Sequence, residues 1–532
     1  MMPASPVISL VLEVHHPFVH KGCPCLENLS GPEEFRFFES LSETYLPLLE
    51  TLERLDRLRI PFRLGLVVSP VLCHLLEDKR LIKKYLEYTD RQIEFGRAEL
   101  DRSSDNPARQ KLIRFYYDRF VERRIAFTER YDRDILKVLD VYQRRGNVEI
   151  IACPATHAFL PFYASCPEAV QAQIEAATFC YRSHFGKYPQ GFWLPELGWS
   201  AELEKYLRAY NFGYTIVEAH GLVFGSPPAL KGSFYPVKTP AGIFVLGRDF
   251  YAGRDLAART GSGKEARVYR DNCSDAGYEL PTELVGSFLG PKGLRRGTGY
   301  KYQSREKGRV YDPLAAQAQA RAAARDFLES CVSRLDAASR LMEVPPLCLC
   351  AFNADSFGHN WYEGPLFIET LFREAAGREN IRFKTPAEYL FKQDSANFQT
   401  LSPEFSSQGT NGYAETWLDG SNDWMYRHAF RALERMIELA ERFPDDTGLK
   451  ERALNQAARE ILLMQSSDWP RMLYQEKSPE YARCCIEDSL RNFTTIYEAL
   501  GSNYISTEWL TGLEKRHSIF PHINYRVFRK KK

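Results

Sequence analysis

Short runs of apolar, largely β-branched residues alternate with stretches of helical periodicity over most of this chain. Uninterrupted apolar runs of this length are typical of strands that are buried on both faces of a parallel sheet. A chain in which β and α segments alternate folds as a barrel or as a doubly wound sheet. The predicted strands are residues 7–12, 63–68, 148–153, 191–194, 214–217, 243–246 and 347–352.

Two regions depart from this alternation. Between about residues 80 and 145, long charged helices with aromatic residues three or four positions apart predict a helical insertion between two strands. Beyond residue 402 the strands stop, and helices are predicted over residues 425–442, 449–465 and 479–500. Because 532 residues exceed what one compact core usually holds, we predict a large α/β domain followed by an all-α domain.

Charge and the length of the apolar runs exclude several functional classes. Lys and Arg number 70 against 69 Asp and Glu, so no overall field attracts nucleic acid or an anionic membrane. No apolar run approaches the roughly 20 residues that span a bilayer. Run 7–12 is too short for a secretory signal and lacks its basic flank. We expect a cytoplasmic protein that binds neither nucleic acid nor membrane; the sequence does not predict its oligomeric state.

The 12 cysteines give no sign of a metal site or of a disulfide framework. They occur singly or as close pairs, Cys23 with Cys25, Cys348 with Cys350 and Cys484 with Cys485, and the CxxC spacing of many zinc sites is missing from the sequence. Reduced thiols, several of them buried, are the expectation for such a chain. We therefore predict neither a metal nor a cofactor.

Polar residues of the kinds used in catalysis follow four of the predicted strands. His15 follows the first strand, His157 the third, Glu196 the fourth, and Asn353 with Asp355 the last. A single histidine beside a strand is more often a structural residue than a catalyst. The active sites of parallel barrels and sheets, however, collect at the carboxyl ends of the strands. Four segments that end in such residues therefore predict one shared site.

Aromatic residues near these polar residues favour a sugar-binding site. An aromatic ring packs against the apolar face of a sugar while carboxylates, histidines and amides bind its hydroxyl groups. The alternative is ordinary core packing, because aromatic residues make up 13% of the chain. Trp417 and Trp424 flank the polar stretch LDGSND, which favours a binding rim for these two. The other aromatic candidates are Trp193, Trp199, Tyr235, Phe357, Trp361, Tyr362 and Trp469.

Four sequence motifs resemble those of glycoside hydrolase family 57, and within it most those of the 1,4-α-glucan branching enzymes and their amylase-like relatives. The motifs are VHHPF at 14–18, GNVEIIACPATHAFLP at 146–161, WLPELGW at 193–199 and FNADSFGHNWYEGP at 352–365. Further segments resemble branching enzymes at 235–249 (YPVKTPAGIFVLGRD), 409–426 (GTNGYAETWLDGSNDWMY) and 466–470 (SSDWP). The resemblance extends over nearly the whole chain.

This resemblance implies an α/β fold, an incomplete (β/α)7 barrel with a helical insertion and a C-terminal all-α domain. The catalytic barrel would occupy residues 1–400, with the helical insertion at about 80–145 and a loop-rich insertion at about 198–250. Residues 401–532 would form the helical domain and contribute to the glucan site.

The implied activity is that of a retaining glycoside hydrolase or glycosyltransferase on α-1,4-glucan, such as glycogen, amylose or a maltooligosaccharide, without a metal. Glu196 matches the nucleophile of such enzymes, and Tyr235 would help to exclude water. The residues implied or favoured as substrate-binding are His15, His157, Trp193, Tyr235, His359, Trp361, Trp417, Trp424, Asp468 and Trp469.

One departure from the family pattern bears directly on catalysis. A retaining mechanism needs a second carboxyl group, about 5 to 5.5 Å from the nucleophile, that protonates the leaving oxygen. The family has an aspartate at that position, and this chain has Asn353. An amide cannot deliver that proton, and general acid catalysis is typically worth about 10²- to 10⁴-fold in rate. Asp355 is a candidate substitute, although two residues along a strand end correspond to about 6.5 Å.

Other departures are spread over the donor side of the implied site. Glu13 stands where branching enzymes have the leading histidine of the first motif, and no tryptophan occurs between Tyr251 and Tyr278 where a loop tryptophan is expected. A Thr-Gly pair of the helical domain is replaced by Gln475-Glu476.

Three hypotheses follow from these departures. In the first, the protein is a branching enzyme or glucanotransferase that uses Glu196. In the second, it is a catalytically impaired family member that binds α-glucan and serves as a binding or regulatory protein. In the third, it is an enzyme whose substrate has shifted to one with a better leaving group.

Overall fold

Parallel strands form the centre of the fold in the computed structural model, which describes residues 5–20, 32–261, 263–289 and 293–531. The strands are β1 (Val7–Val14), β2 (Leu64–Val68), β3 (Val148–Ile151), β4 (Tyr214–Val217), β5 (Val237–Lys238), β6 (Phe244–Gly247), β7 (Leu347–Asn353) and β8 (Arg382–Phe383). Sequence patterns missed β5 and β8 because two residues are too few to show a periodicity.

The strands lie in two sheets. The first has the order β3–β2–β1–β7 with all pairs parallel. The short β8 pairs with Val7 and Ile8 at the start of β1, on the edge opposite β7 and before the residues that pair with β2. The second has the order β4–β6–β5, in which β4 and β6 are parallel and β5 is antiparallel. The residues of β1 and β2 are buried along their whole length, as the uninterrupted apolar runs predict.

Residues 191–192 join the two sheets. Gly191 forms a parallel bridge with Tyr214 and Phe192 forms one with Ala152, so this segment lies between β3 and β4. The strand predicted over residues 191–194 is thus reduced to two isolated bridges. A side chain at Gly191 could not fit, because a Cβ there would lie 2.2 Å from the ring of Tyr214. The resulting order, β7–β1–β2–β3–(191–192)–β4–β6, confirms the incomplete (β/α)7 barrel.

Helices surround the barrel and continue into the C-terminal region. The helix bounds are α1 (Pro32–Ser40), α2 (Leu46–Arg57), α3 (Pro70–Glu77), α4 (Lys79–Arg102), α5 (Pro107–Ile125), α6 (Ile135–Arg144), α7 (Pro167–Phe185), α8 (Glu204–Ala209), α9 (Ala219–Val223), α10 (Phe250–Thr260), α11 (Ala276–Glu279), α12 (Pro313–Ser339), α13 (Gly364–Ala376), α14 (Pro386–Leu390), α15 (Asp423–Arg442), α16 (Leu449–Met464), α17 (Asp468–Tyr474), α18 (Pro479–Gly501) and α19 (Thr507–Arg516). Helices α4 to α6 occupy the region of the predicted helical insertion. Helices α15, α16 and α18 occupy the three stretches predicted beyond residue 402.

The connection between α16 and α17 brings the helical region against the barrel. Ser466 pairs with Ala158 in an antiparallel bridge, and the amide of Ser467 donates to the carbonyl of His157 over 3.1 Å. These two contacts bring the start of α17 to the carboxyl ends of the barrel strands, where the sequence predicts the site.

Two expectations from composition can be compared with the described residues. No helix among them is both long enough and apolar enough to cross a membrane. The ten cysteines of the described residues, from Cys73 to Cys485, form no disulfide with one another, and most are buried or half-buried, whereas Cys273 is exposed. The pair Cys23 and Cys25 lies outside the described residues.

Candidate active site

Glu196 lies in a tight turn at the carboxyl end of the 191–192 segment. Its backbone is in the left-handed region, at φ 60° and ψ 19°. This conformation costs a residue with a side chain about 1–3 kcal/mol and persists only where surrounding contacts hold it. Gln408 makes two contacts that hold it: its backbone N donates to the Glu196 carbonyl over 2.8 Å, and its Nε2 donates to Oε2 over 2.5 Å. The hydroxyl of Ser467 donates to Oε1 over 3.2 Å. The carboxylate is therefore fixed at both oxygens.

Two cations face the Glu196 carboxylate. Arg471 Nη1 lies 4.0 Å and His157 Nδ1 lies 3.9 Å from Oε1. The Glu196 side chain is only 1% exposed. Burial raises the pKa of Glu196 above its ordinary value, and Arg471 and His157 offset that rise in part. The arrangement keeps a buried carboxylate available for attack on a carbon atom.

His157 lies between two partners at the bottom of the site. Its Nε2 is 2.7 Å from Glu13 Oε1, and its Nδ1 is 2.8 Å from the hydroxyl of Ser467. Burial lowers the pKa of His157, but the carboxylates of Glu13, Glu196 and Asp468 together outweigh burial and raise the pKa above its ordinary value. Burial likewise opposes ionisation of Glu13, yet His157 brings its pKa below the ordinary value. Both directions describe an imidazolium paired with a buried carboxylate.

His15, like His157, lies between a hydroxyl and a carboxylate. Its ring stacks on His157 with centroids 3.9 Å apart and planes 6° apart. Nδ1 is 2.7 Å from the hydroxyl of Ser69, and Nε2 is 2.8 Å from Asp468 Oδ2. Burial and the neighbouring His157 lower the pKa of His15. Two stacked imidazoles resist a second positive charge, so we assign the charge to His157 and a neutral ring to His15.

Asp468 connects the histidine stack to Arg471. Its Oδ1 is 2.6 Å from Arg471 Nη2, and its Oδ2 accepts from the hydroxyl of Ser466 over 2.9 Å. Although burial opposes it, His15 and Arg471 hold the pKa of Asp468 far below its ordinary value. Asp468 is therefore ionised, and it holds Arg471 beside Glu196.

Asn353 ends β7 in register with Glu13 on the neighbouring strand β1. Its Oδ1 accepts from the amide of Asp355 over 2.9 Å and begins a short 3₁₀ turn over Ala354–Phe357. The Asp355 carboxylate accepts from the hydroxyl of Ser40 over 3.2 Å and from that of Thr44 over 2.9 Å. Asp355 is thus bonded to the segment that links α1 to α2.

His359 belongs to a neighbouring cluster. Its Nδ1 lies 3.7 Å from Glu43 Oε2, and its carbonyl accepts from the side-chain amide of Asn272. Arg270 binds both oxygens of Glu43 over 2.7 and 2.9 Å. The His359 amide also donates to the hydroxyl of Thr44 over 3.0 Å. His359 therefore contacts Glu43, Asn272 and the threonine that binds Asp355.

Most of the predicted aromatic binders are buried in the wall of the site. Trp193 is 3% exposed and donates its Nε1 hydrogen to Glu13 over 2.6 Å. Trp417 is 2% exposed and stacks on Phe159, with centroids 5.3 Å apart, so its burial contradicts the predicted rim position. Trp424 is half-buried, with the Arg483 guanidinium 5.2 Å from its ring centroid.

Three further aromatic candidates are enclosed in apolar clusters. Trp361 packs against Phe367, Tyr235 packs against Phe398, and Trp469 donates its Nε1 hydrogen to the Leu463 carbonyl. Each is at most 2% exposed. Protein groups therefore cover these three rings in this structure, and direct stacking on a substrate stays a prediction.

Several residues of the site escaped the sequence analysis as functional candidates. Gln408 and Ser467 lie 212 and 271 positions from Glu196, and no local pattern joins them to it. Glu13 was noted only as a departure from the family motif. Its position between two buried strand residues was a usable signal, because an unpaired carboxylate is rarely buried. The remaining missed residues are Ser69 and Arg471.

The ring nitrogens of His15 and His157 are all engaged with hydroxyls or carboxylates. Among the described residues, the groups of side chains that are close enough to hold a metal ion lie elsewhere. The site is therefore built as a hydrogen-bonded cluster around one nucleophilic carboxylate.

Comparison with known protein families gives two adjacent matches. The model of glycosyl hydrolase family 57 matches residues 9–397. The model described as 1,4-alpha-glucan branching enzyme, C-terminal, matches residues 428–528. Together they cover the barrel and most of the helical region.

Individual relatives agree with these matches. The structure of the alpha-amylase AmyC from Thermotoga maritima is 31% identical, with a TM-score of 0.91, and the alignment covers 99% of this chain and 100% of that one. A 1,4-alpha-glucan branching enzyme of Thermococcus kodakarensis is 26% identical over 496 residues, 90% of this chain and 71% of that protein. The branching enzyme of Pyrococcus horikoshii shares the fold, with a TM-score of 0.87 at 24% identity over 99% and 97% of the two chains.

Proposed function

The chain belongs to glycosyl hydrolase family 57, and on that premise we propose that it transfers glucosyl units of an α-1,4-glucan through a covalent intermediate on Glu196. The observation that carries the proposal is the buried Glu196 carboxylate, which is fixed by Gln408 and Ser467 and faced by Arg471 and His157. The relatives named as branching enzymes and as an alpha-amylase supply the substrate class.

The proposed reaction has two steps. In the first, a Glu196 oxygen attacks the anomeric carbon, the glycosidic C–O bond breaks, and the leaving oxygen takes a proton. In the second, an acceptor hydroxyl attacks the same carbon, the bond to Glu196 breaks, and the hydroxyl proton passes to solvent, with net retention of configuration. A sugar 6-hydroxyl as acceptor creates a branch, and water gives hydrolysis.

Arg471 and His157 favour the ionised form of the nucleophile Glu196. Attack requires ionised Glu196, and burial alone would favour its protonated form. The two cations counteract burial, and Asp468 and Glu13 hold them in place. Arg471 and His157 are therefore proposed as positioning residues, as are His15 and Ser69, which support the stack from the other side.

The first step lacks a side chain at position 353 that can protonate the leaving oxygen. Asn353 carries an amide, which cannot release a proton to the leaving oxygen. Moving the Asp355 carboxylate would break its bonds to Ser40 and Thr44, and hydrogen bonds to a charged group contribute about 1.5–3 kcal/mol each. We infer that Asp355 stays in place and that the leaving oxygen takes its proton from solvent, which makes cleavage of unactivated glucan slow.

Donor binding requires a local movement. Glu196 is 1% exposed, and the Gln408 side chain covers its Oε2. Gln408 must swing aside before an anomeric carbon can reach the carboxylate. The residues that close the site, Gln408 and Ser467 to Arg471, come from beyond residue 400, and this supports the proposal that residues 401–532 contribute to the glucan site.

A pair of donors tests the proposal. Maltotriosyl fluoride needs no acid because fluoride leaves unaided, whereas amylose does. We expect measurable fluoride release that disappears in Glu196→Gln, together with much slower formation of new linkages or reducing ends from amylose. Fluoride release that persists in Glu196→Gln would refute the nucleophile assignment. If neither donor turns over while amylose still binds, the protein is a glucan-binding member of the family and not an enzyme.

A further inference from the structure

Two helices on the outside of the barrel present metal-binding side chains to each other. Cys73 and Glu77 are four residues apart on α3, and Cys180 and His184 are four residues apart on α7. Residues at this spacing lie on the same face of a helix, one turn apart. The donor atoms of Cys73, Cys180 and His184 all lie within 4.8 Å of one another. Glu77 stands beside this group, with its Oε1 3.1 Å from His184 Nε2.

The His184 ring is oriented for binding through Nε2. Its Nδ1 lies 2.7 Å from the Cys180 carbonyl and donates to it. A histidine that binds a metal through one ring nitrogen usually donates the hydrogen of the other to a carbonyl or a carboxylate, which fixes the ring. Nε2 then points toward Glu77, whose carboxylate forms the other side of the cluster.

The cluster is protected yet accessible from one side. Cys73 is buried at 2% exposure, whereas the His184 side chain is 15% exposed and that of Glu77 is 59% exposed. A cavity of about 450 Å³ is lined by Glu77, Cys180 and His184, together with residues that include Phe179 and Phe520. An ion can therefore enter without unfolding of the barrel.

We propose that Cys73, Cys180 and His184 bind a zinc ion, with Glu77 as the fourth ligand. Two thiolates, an imidazole and a carboxylate are a donor set that zinc takes in tetrahedral sites. Bonds of about 2.3 Å to sulfur and 2.0 Å to nitrogen place neighbouring donors about 3.3 to 3.8 Å apart. The donors of Cys73, Cys180 and His184, which lie within 4.8 Å of one another, need to close by at most about 1.5 Å.

The spacing of the cysteines along the chain gives no sign of this site, because none of its ligands forms a closely spaced cysteine pair. Here the two ligand pairs lie on helices that are about a hundred positions apart, so only the packing of α3 against α7 brings them together. A cross-link between these helices would also fix Ser69, the N-cap of α3, which contacts His15 in the active site. We therefore expect zinc to stabilise the folded chain.

Metal binding can be tested directly on the full-length protein. After removal of metals under reducing conditions, titration with Co²⁺ should give one tetrahedral ion per chain with a thiolate-to-cobalt charge-transfer band, and Zn²⁺ should displace it. The double variant Cys180→Ser/His184→Ala should lose the band and bind Zn²⁺ at least about 100-fold more weakly, more than the loss of a supporting contact outside the ligand set causes. Cys273→Ser, which removes an exposed thiol elsewhere, should behave like the wild type.

A milder variant separates a lost ligand from a lost fold. Glu77→Gln changes a largely exposed side chain, so it should keep the charge-transfer band while it weakens binding. The proposal is overturned if Co²⁺ binds without a thiolate band, if Cys180→Ser/His184→Ala binds as tightly as the wild type, or if the folded protein binds no Zn²⁺. Mild oxidation that yields a Cys73–Cys180 disulfide, in protein that binds no Zn²⁺, would identify a thiol pair instead.

Discussion

Replacement of Asn353 by aspartate should restore the missing acid with little cost to the fold. The Asn353 side chain accepts a hydrogen bond from the Asp355 amide, and a carboxylate accepts the same bond. Loss of such a cap costs about 1 kcal/mol, so Asn353→Asp should fold with nearly wild-type stability, and Asn353→Ala should be destabilised by about that amount. Asn353→Ala thus serves as the matched control that lacks both the cap and the acid.

The strand register places the new carboxyl beside Glu13. Adjacent strands are about 4.8 Å apart, and two carboxylates about 5 Å apart repel by about 3 kcal/mol at an effective dielectric constant of 20. The His157 imidazolium paired with Glu13 cancels part of this repulsion. The net effect is to raise the pKa of the new carboxyl above that of an ordinary aspartate, toward the pH at which a general acid works best.

The expected gain on amylose is about 10²- to 10⁴-fold in kcat, which corresponds to about 2.7 to 5.5 kcal/mol of barrier. On maltotriosyl fluoride the gain should stay below about 10-fold, because fluoride leaves without a proton. The assay compares initial rates of fluoride release and of linkage formation for wild type, Asn353→Asp and Asn353→Ala. Equal gains on both donors would show that the substitution acts on something other than the acid step. A folded Asn353→Asp protein with no gain on amylose would refute the reasoning.

Three further predictions concern the charged cluster. Asp355→Asn should leave the rates on both donors within about 10-fold of the wild type, less than the loss of a general acid causes; a fall beyond about 100-fold on amylose alone would assign the acid role to Asp355. Because burial raises the pKa of Glu196, fluoride release should fall on the acid side with a midpoint above the ordinary glutamate pKa of about 4.3, and a midpoint below that value would contradict the desolvated carboxylate. Glu13, with Glu196 and Asp468, raises the pKa of His157 above its unfolded value in spite of burial, and His157 lowers the pKa of Glu13. The stability from the His157–Glu13 pair should therefore be complete between about pH 4.3 and 6.5, and be lost as the pH rises through the folded-state pKa of His157 or falls through that of Glu13. Urea unfolding should show the decline above about pH 6.5 in the wild type; Glu13→Gln, destabilised by about 3 kcal/mol at neutral pH, should lack it, and Glu87→Gln, at an exposed position, should match the wild type.

The sequence by itself determined that buried parallel strands alternate with helices, and the resemblance of its motifs to family 57 added that these strands form a barrel. Runs such as residues 7–12 and 347–352 are apolar at every or nearly every position, and only strands buried on both faces need that pattern. The same reasoning predicted the helices of the insertion and of the C-terminal region, because helical periodicity is a local property. The family motifs around Glu196 and Asn353 could also be recognised from the sequence, since each lies within one short stretch of chain.

The tertiary structure alone decided which residues surround Glu196 and which aromatic rings are free. Gln408 and Ser467 reach the carboxylate from segments more than 200 positions away, and the stack of His15 on His157 joins two different strands. Trp417 appears in a polar stretch of sequence, yet its ring is buried against Phe159. Local patterns encode the periodicity of helices and strands, whereas burial and hydrogen bonding between distant segments depend on how the helices pack on the barrel, which no single stretch of sequence records.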